Sequence, residues 1–186
     1  MPGNQFQRMF FAFVTVVITV HAYVFYSLYV VNGTTLMQLT GQASVLTAIR
    51  AQGGVYLCGR MAPIWAVVLV EFCLAYTLEV LVGSPASLKL AFRVFDPAAV
   101  HPMLVETAVI CATVGIMCPA MSLLAAALYY PYYAGFHLAT FLANWLKLVC
   151  FNFPFAFFSQ LFFIQPAVRT IFKALFRQRQ AQSADR

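Results

Sequence analysis

Hydrophobic positions in this chain gather into four long runs, at residues 9–31, 61–82, 104–130 and 138–165. Each exceeds the roughly 20 residues that a helix needs to cross a hydrocarbon core of about 30 Å. Backbone groups in lipid must find their hydrogen-bond partners within the segment, so each run predicts a transmembrane helix. The expected fold class is therefore all-α: a polytopic membrane protein with four transmembrane helices in one membrane domain over residues 1–186. The first run is too long for the apolar region of a cleaved signal peptide, and no small-x-small site follows it. Polar residues fall between the runs. Residues 32–60 read as a long outer loop broken at Gly53-Gly54, with "TGQASVLTAIRAQ" as a short amphipathic helix on the membrane surface. Residues 177–186, "RQRQAQSADR", read as a flexible cytoplasmic tail.

The two halves of the pattern resemble each other. Shifted by 81 residues, Glu71 falls on Asn152, Glu79 on Gln160 and Pro85 on Pro166. Shifted by 98, "TVVITVHA" lies over "TVGIMCPA", which sets His21 against Pro119. Two helices per unit keep the same orientation in both copies, so the expectation is two parallel two-helix repeats about an axis along the membrane normal.

Composition excludes the soluble alternatives. Hydrophobic residues make up 63% of the chain and charged residues 9%, whereas a soluble domain carries about a quarter charged residues. The net charge of +6 reads as membrane topology and not as a nucleic-acid footprint, because the basic residues flank apolar spans. Arg8, Lys89, Arg93, Arg169, Lys173, Arg177, Arg179 and Arg186 collect on one side and only Arg50 and Arg60 on the other. The positive-inside rule then places both termini in the cytoplasm, with Trp65 and Trp145 near the outer ends of their helices. The five cysteines form no CxxC pair and lack histidines at metal-ligand spacing, so no metal and no cofactor are expected.

Candidate chemistry lies in the few polar residues inside the runs. At about 1.5 Å per residue, Glu71, Lys147 and His21 fall at one depth near the bilayer midplane, with Asn152 slightly deeper. An ionisable group there costs at least about 2.5–3.5 kcal/mol unless it is paired or neutral. Glu71 and Lys147 are expected to form that pair, with His21 able to exchange a proton with it. Glu79 and Glu106, with Gln160 at the position matching Glu79, form a second set near the cytoplasmic boundary, close in sequence to Lys89 and Arg93. Glu71 and Glu79 point roughly 80° apart on a helix, so one groove can hold both. Pro119 and Pro154 interrupt the third and fourth runs near mid-depth.

Three patches, "LKLAFRVFDP", "MCPAMSLLA" and "NFPFAFFSQLFFIQPAVRTIF", together resemble the DUF2798 family of small bacterial four-helix membrane proteins. The resemblance implies the same fold and a bacterial inner-membrane location, and it carries over no functional residues. No nucleophile–base motif, phosphate-binding glycine loop or HExxH signature is present, so the chain is not expected to be an enzyme. The expected function is proton-coupled transport of a small cationic or amphipathic molecule, with Glu71 as carrier, Lys147 and His21 as modulators and Asn152 as a further polar contact. Four helices enclose little space, so a homodimer is expected to build the path. The alternative is a non-transporting accessory subunit of a larger membrane complex. The lipid bilayer is the one certain partner, and no nucleic acid is expected.

Overall fold

The computed structural model describes residues 5–96 and 100–184. Helix α1 (Gln5–Phe25) runs into a π-helical turn at Tyr26–Val31. The second long helix is α4 (Ile64–Leu78), a π-turn (Glu79–Gly83) and α5 (Ser84–Val94) in unbroken succession. The third is α6 (Pro102–Leu128), and the fourth is α7 (Leu138–Ser159), a π-turn (Gln160–Ile164) and α8 (Gln165–Ala184). Four stretches, Gln5–Val31, Ile64–Val94, Met103–Leu128 and Leu138–Phe176, are long and apolar enough to cross a membrane. Only 11–22% of each hydrophobic window is buried inside the molecule, and Trp65, Leu69, Leu81, Phe158, Phe162 and Phe163 stand exposed. Soluble monomers rarely expose apolar patches beyond a few hundred Å². Such a surface belongs in lipid, and the chain is an integral membrane protein with an all-α fold.

The second and fourth spans outrun their apolar runs, continuing past Val82 and Gln165. Pro85 and Pro166 explain how. A proline inside an α-helix removes one N–H and presses its ring on the carbonyl four residues back. Those carbonyls belong to Leu81 and Phe162, and both sit inside the π-turns. The wider i→i+5 spacing absorbs the lost bond, and the helix continues. The segment 177–186, expected to be a tail, prolongs α8 as far as Ala184, and its last two residues, Arg186 included, lie outside the described residues.

Residues 33–62 build a cap where a loop was expected. It comprises α2 (Gly33–Thr40), α3 (Val45–Ala51) and a hairpin of β1 (Val55–Leu57) and β2 (Arg60–Ala62). The antiparallel register pairs Val55 with Ala62, Tyr56 with Met61 and Leu57 with Arg60. Ser44 caps α3 by accepting from the Thr47 N–H at 3.3 Å, satisfying an otherwise orphaned donor. The tight turn at Cys58-Gly59 takes φ of 47° and 85°, the geometry that two-residue hairpins favour. Gly54 is obligatory: a Cβ there would lie 2.3 Å from the Ala62 carbonyl oxygen, and its φ is +130°. Helix α3, expected as a short amphipathic helix, turns its apolar face into the protein. Its apolar Val45, Ala48 and Ile49 are buried in the protein, because i, i+3, i+4 spacing makes one face, and α3 packs on α2. The Cys58 N–H donates to the Leu128 carbonyl at 2.8 Å and ties the hairpin to the end of α6.

Helix α1 packs on α4, and α6 packs on α7. These two pairs join on the side of the N-terminus, where α5 packs on α6 and α8 packs on α1. The π-turn at 79–83 has its counterpart at 160–164, both 81 positions on and both followed by Ser84-Pro85 or Gln165-Pro166. Buried Val16, Val20 and Ala75 form one apolar cluster, and Val114, Cys118 and Ala156, at offsets of 98 and 81, form the other with Ile110. Tyr23 packs on the second cluster, and Met121, its counterpart at 98, packs on the first. Interdigitation across the two pairs therefore runs both ways.

Candidate functional site

Between the helix pairs lies a cavity of about 1810 Å³. It exceeds the roughly 300–1,000 Å³ of ordinary ligand pockets. A single chain thus encloses the space that was expected to need two. Fourteen residues of the first span line it, from Gln7 to Asn32, and each has a counterpart 98 positions on, from Val105 to Tyr130, that lines it too. The lining of the second span corresponds to that of the fourth at six positions offset by 81, among them Glu71 with Asn152 and Glu79 with Gln160. Ile49, Val55 and Tyr56 line it on the cap side.

Glu71, on the cavity face of α4, accepts a hydrogen bond from the Tyr129 hydroxyl at the end of α6. It was expected to pair with Lys147. Among the described residues no ion pair joins the two. Helix α4 packs on α1 and α7 on α6, so both side chains line the cavity from different walls. Lys147 is exposed to it, with Asn144 one helical turn away. Asn152 donates to the Ser122 hydroxyl at 3.4 Å, a long bond between α7 and α6.

His21 is not part of this set. It is exposed, lies outside the cavity lining, and its Nδ1 is 2.8 Å from the Val17 carbonyl. Depth along the helix placed it with Glu71, but the lining on α1 repeats through Thr15, Val16, Thr19, Val20, Tyr23 and Val24. At 100° per residue His21 falls off that face.

Toward the N-terminal side the lining turns more polar. The Ser84 hydroxyl donates to Glu79 Oε1 at 2.8 Å across the first π-turn. At the same place in the second π-turn, Gln165 Nε2 donates to Gln160 Oε1 at 3.4 Å. Gln160 Nε2 also donates to Thr19 Oγ1 at 2.9 Å, which joins the fourth span to the first. Gly83 makes room for the Glu79 carboxylate: a Cβ there would lie 2.6 Å from Oε2. Glu106 pairs with Arg169 of α8. The N-terminal half of α6 runs alongside the fourth span, which brings Arg169 to it. Arg8, Lys147 and Arg169 line the same cavity as Glu71, Glu79 and Glu106. Arg169 is committed to Glu106, and the described partners of Glu71 and Glu79 are hydroxyls.

Sequence reasoning missed Tyr129, Ser84, Thr19 and Arg169. Tyr129 lay hidden in the aromatic string "LYYPYY", and Ser84 lies just beyond the apolar run that ends at Val82. Trp145, read as an interface anchor, donates from Nε1 to the Pro119 carbonyl at 3.0 Å and ties α7 to α6. The Phe151 carbonyl, in the turn that Pro154 opens, accepts from Tyr26 at 3.0 Å. Among the described residues no group of His, Cys, Asp and Glu side chains is arranged to hold a metal ion.

No curated protein and no solved structure matches this chain. Residues 106–176, from the start of α6 into α8 and so one of the two helix pairs, match the model of DUF2798, a domain of unknown function, the family to which the sequence patches point.

Proposed function

We propose that this protein is a small carrier of the bacterial inner membrane, with both termini cytoplasmic, built from two parallel two-helix repeats. It moves a small cationic or amphipathic molecule through its central cavity in exchange for protons. The observation that carries this reading is the cavity lined by Glu71 and Glu79, carboxylates held by hydroxyls and not by cations. Intramembrane carboxylates are costly and serve ion and proton pathways where they face a bundle interior. A carboxylate with a hydroxyl partner can take a proton or a cation in turn, which is the minimum an exchanger needs.

In this reading Glu71 is the exchanging group, with Tyr129 fixing its orientation. Lys147 raises or lowers the cost of its charge from another wall, and Asn152 offers a neutral polar contact. His21 takes no part. The path lies within one protomer, so the reading needs no homodimer, no cofactor and no enzymatic step.

The test is growth of an efflux-deficient bacterium expressing the protein, across a panel of lipophilic cations, beside Glu71→Gln at matched membrane level. Protection by the wild type that is lost in the variant is the expected result. Absence of protection against every compound, with both proteins folded, sinks the carrier and favours the accessory subunit.

A further inference from the structure

The cavity lining is related by the two offsets position by position, but its charge is not. Where the second span carries Glu71 and Glu79, the fourth carries Asn152 and Gln160. In each pair an amide stands in place of a carboxylate, one methylene shorter at Asn152 and of nearly the same shape at Gln160. Around the lower pair even the local bonding is reproduced. Ser84 bonds Glu79, and Gln165 bonds Gln160, each across five residues of a π-turn. The backbone thus treats the two positions alike, and the difference lies in one oxygen against one NH2 group. A carboxamide stays neutral and offers both a donor and an acceptor, whereas an ionised carboxylate only accepts and carries charge.

The two side chains are also committed differently. Gln160 uses its nitrogen on Thr19 and its oxygen on Gln165. Glu79 receives Ser84 on Oε1, while Oε2 lies in the space left by Gly83. Val16, Val20, Met117 and Met121 line the same cavity, with Met117 beside Gly83 and so close to the Glu79 carboxylate. A site of this kind suits an ion whose charge is wrapped in apolar groups and needs a single carboxylate to meet it.

We infer that the cavity binds a lipophilic cation with its charge on the second-span wall, and that Glu79, opposed by its neutral mate Gln160, sets the charge selectivity. This rests on reading the cavity as a ligand site. It goes beyond that reading by separating two roles: Glu79 meets the cation, and Glu71 exchanges the proton.

The experiment uses full-length protein in detergent, with tetraphenylphosphonium as probe and the nearly isosteric anion tetraphenylborate as control, by equilibrium dialysis. Wild type is expected to prefer the cation. Glu79→Gln is expected to lose about tenfold or more in cation affinity, since a bond to a charged group is at stake. The exchange variant Glu79→Gln/Gln160→Glu returns the carboxylate at the matching position and is expected to restore affinity to within about threefold. Unchanged affinity in Glu79→Gln overturns the inference while leaving the ligand site standing. So does an exchange variant that melts like wild type yet binds as weakly as the single variant. Wild type that binds neither ion overturns the ligand-site reading itself. Should the exchange variant not fold, Gln160→Glu alone must bind the cation at least as tightly as wild type, and weaker binding there overturns the mate relation.

Discussion

Glu71 and His21 were expected at one depth in the membrane, and only Glu71 lines the cavity. Residue counting along a helix yields depth from the rise per residue, and here it placed Glu71, Lys147 and Asn152 on one cavity. It does not yield azimuth for a span that is apolar on every side, because no polar face marks the interior. His21 therefore faces away, and Lys147 stands on another wall from the carboxylate it was expected to meet. The partner that Glu71 has, Tyr129, lies 58 residues on, at a helix end whose position only packing determines. Removing its hydroxyl leaves a half-buried carboxylate without its described donor, a loss worth about 1–3 kcal/mol. Tyr129→Phe should lower the melting temperature in detergent, and adding Glu71→Gln should recover much of that loss, because a neutral amide costs less to leave unpaired. Equal melting of Tyr129→Phe and wild type would show that the bond contributes nothing.

At the scale of the element, the π-turns do what the prolines alone did not reveal. Pro85 and Pro166 stood out in the sequence as matching positions at an offset of 81. What sequence periodicity does not encode is that a wider turn just before each proline lets the helix continue and points Glu79 and Gln160 into the cavity. An i→i+5 turn holds one residue more than an α turn, and such bulges recur at functional sites. Deleting Val82, which faces outward, in a Pro85→Ala background that no longer needs the wide turn, should let residues 78–84 close as ordinary α-helix while the flanking faces keep their register. The expected outcome is insertion at wild-type level, a stability change of no more than about 1–3 kcal/mol, and loss of transport, since Ser84 no longer reaches Glu79 across five residues. Retained transport would mean that the turn is incidental.

At the scale of the whole molecule, the cap and the paired halves decide what the cavity is. Residues 33–62 cover one end of it, held by the Cys58–Leu128 bond and by the close approach of Gly54 to Ala62. Gly54→Ala puts a methyl group into that carbonyl at a φ that side chains rarely adopt, a strain of about 1–3 kcal/mol. Hydrogen exchange across residues 53–62 should then rise while α4 and α6 stay protected, and unchanged exchange would show that the hairpin has another anchor. The number of spans, their apolar outer surface and the internal offsets of the chain were determined by the sequence, because length, hydropathy and residue spacing are local quantities. Which side chains meet, that one chain encloses a cavity, and that residues 33–62 close over it were decided by the tertiary structure. Those depend on the rotation of each helix about its own axis, and in a uniformly apolar helix only contact with its neighbours settles that angle.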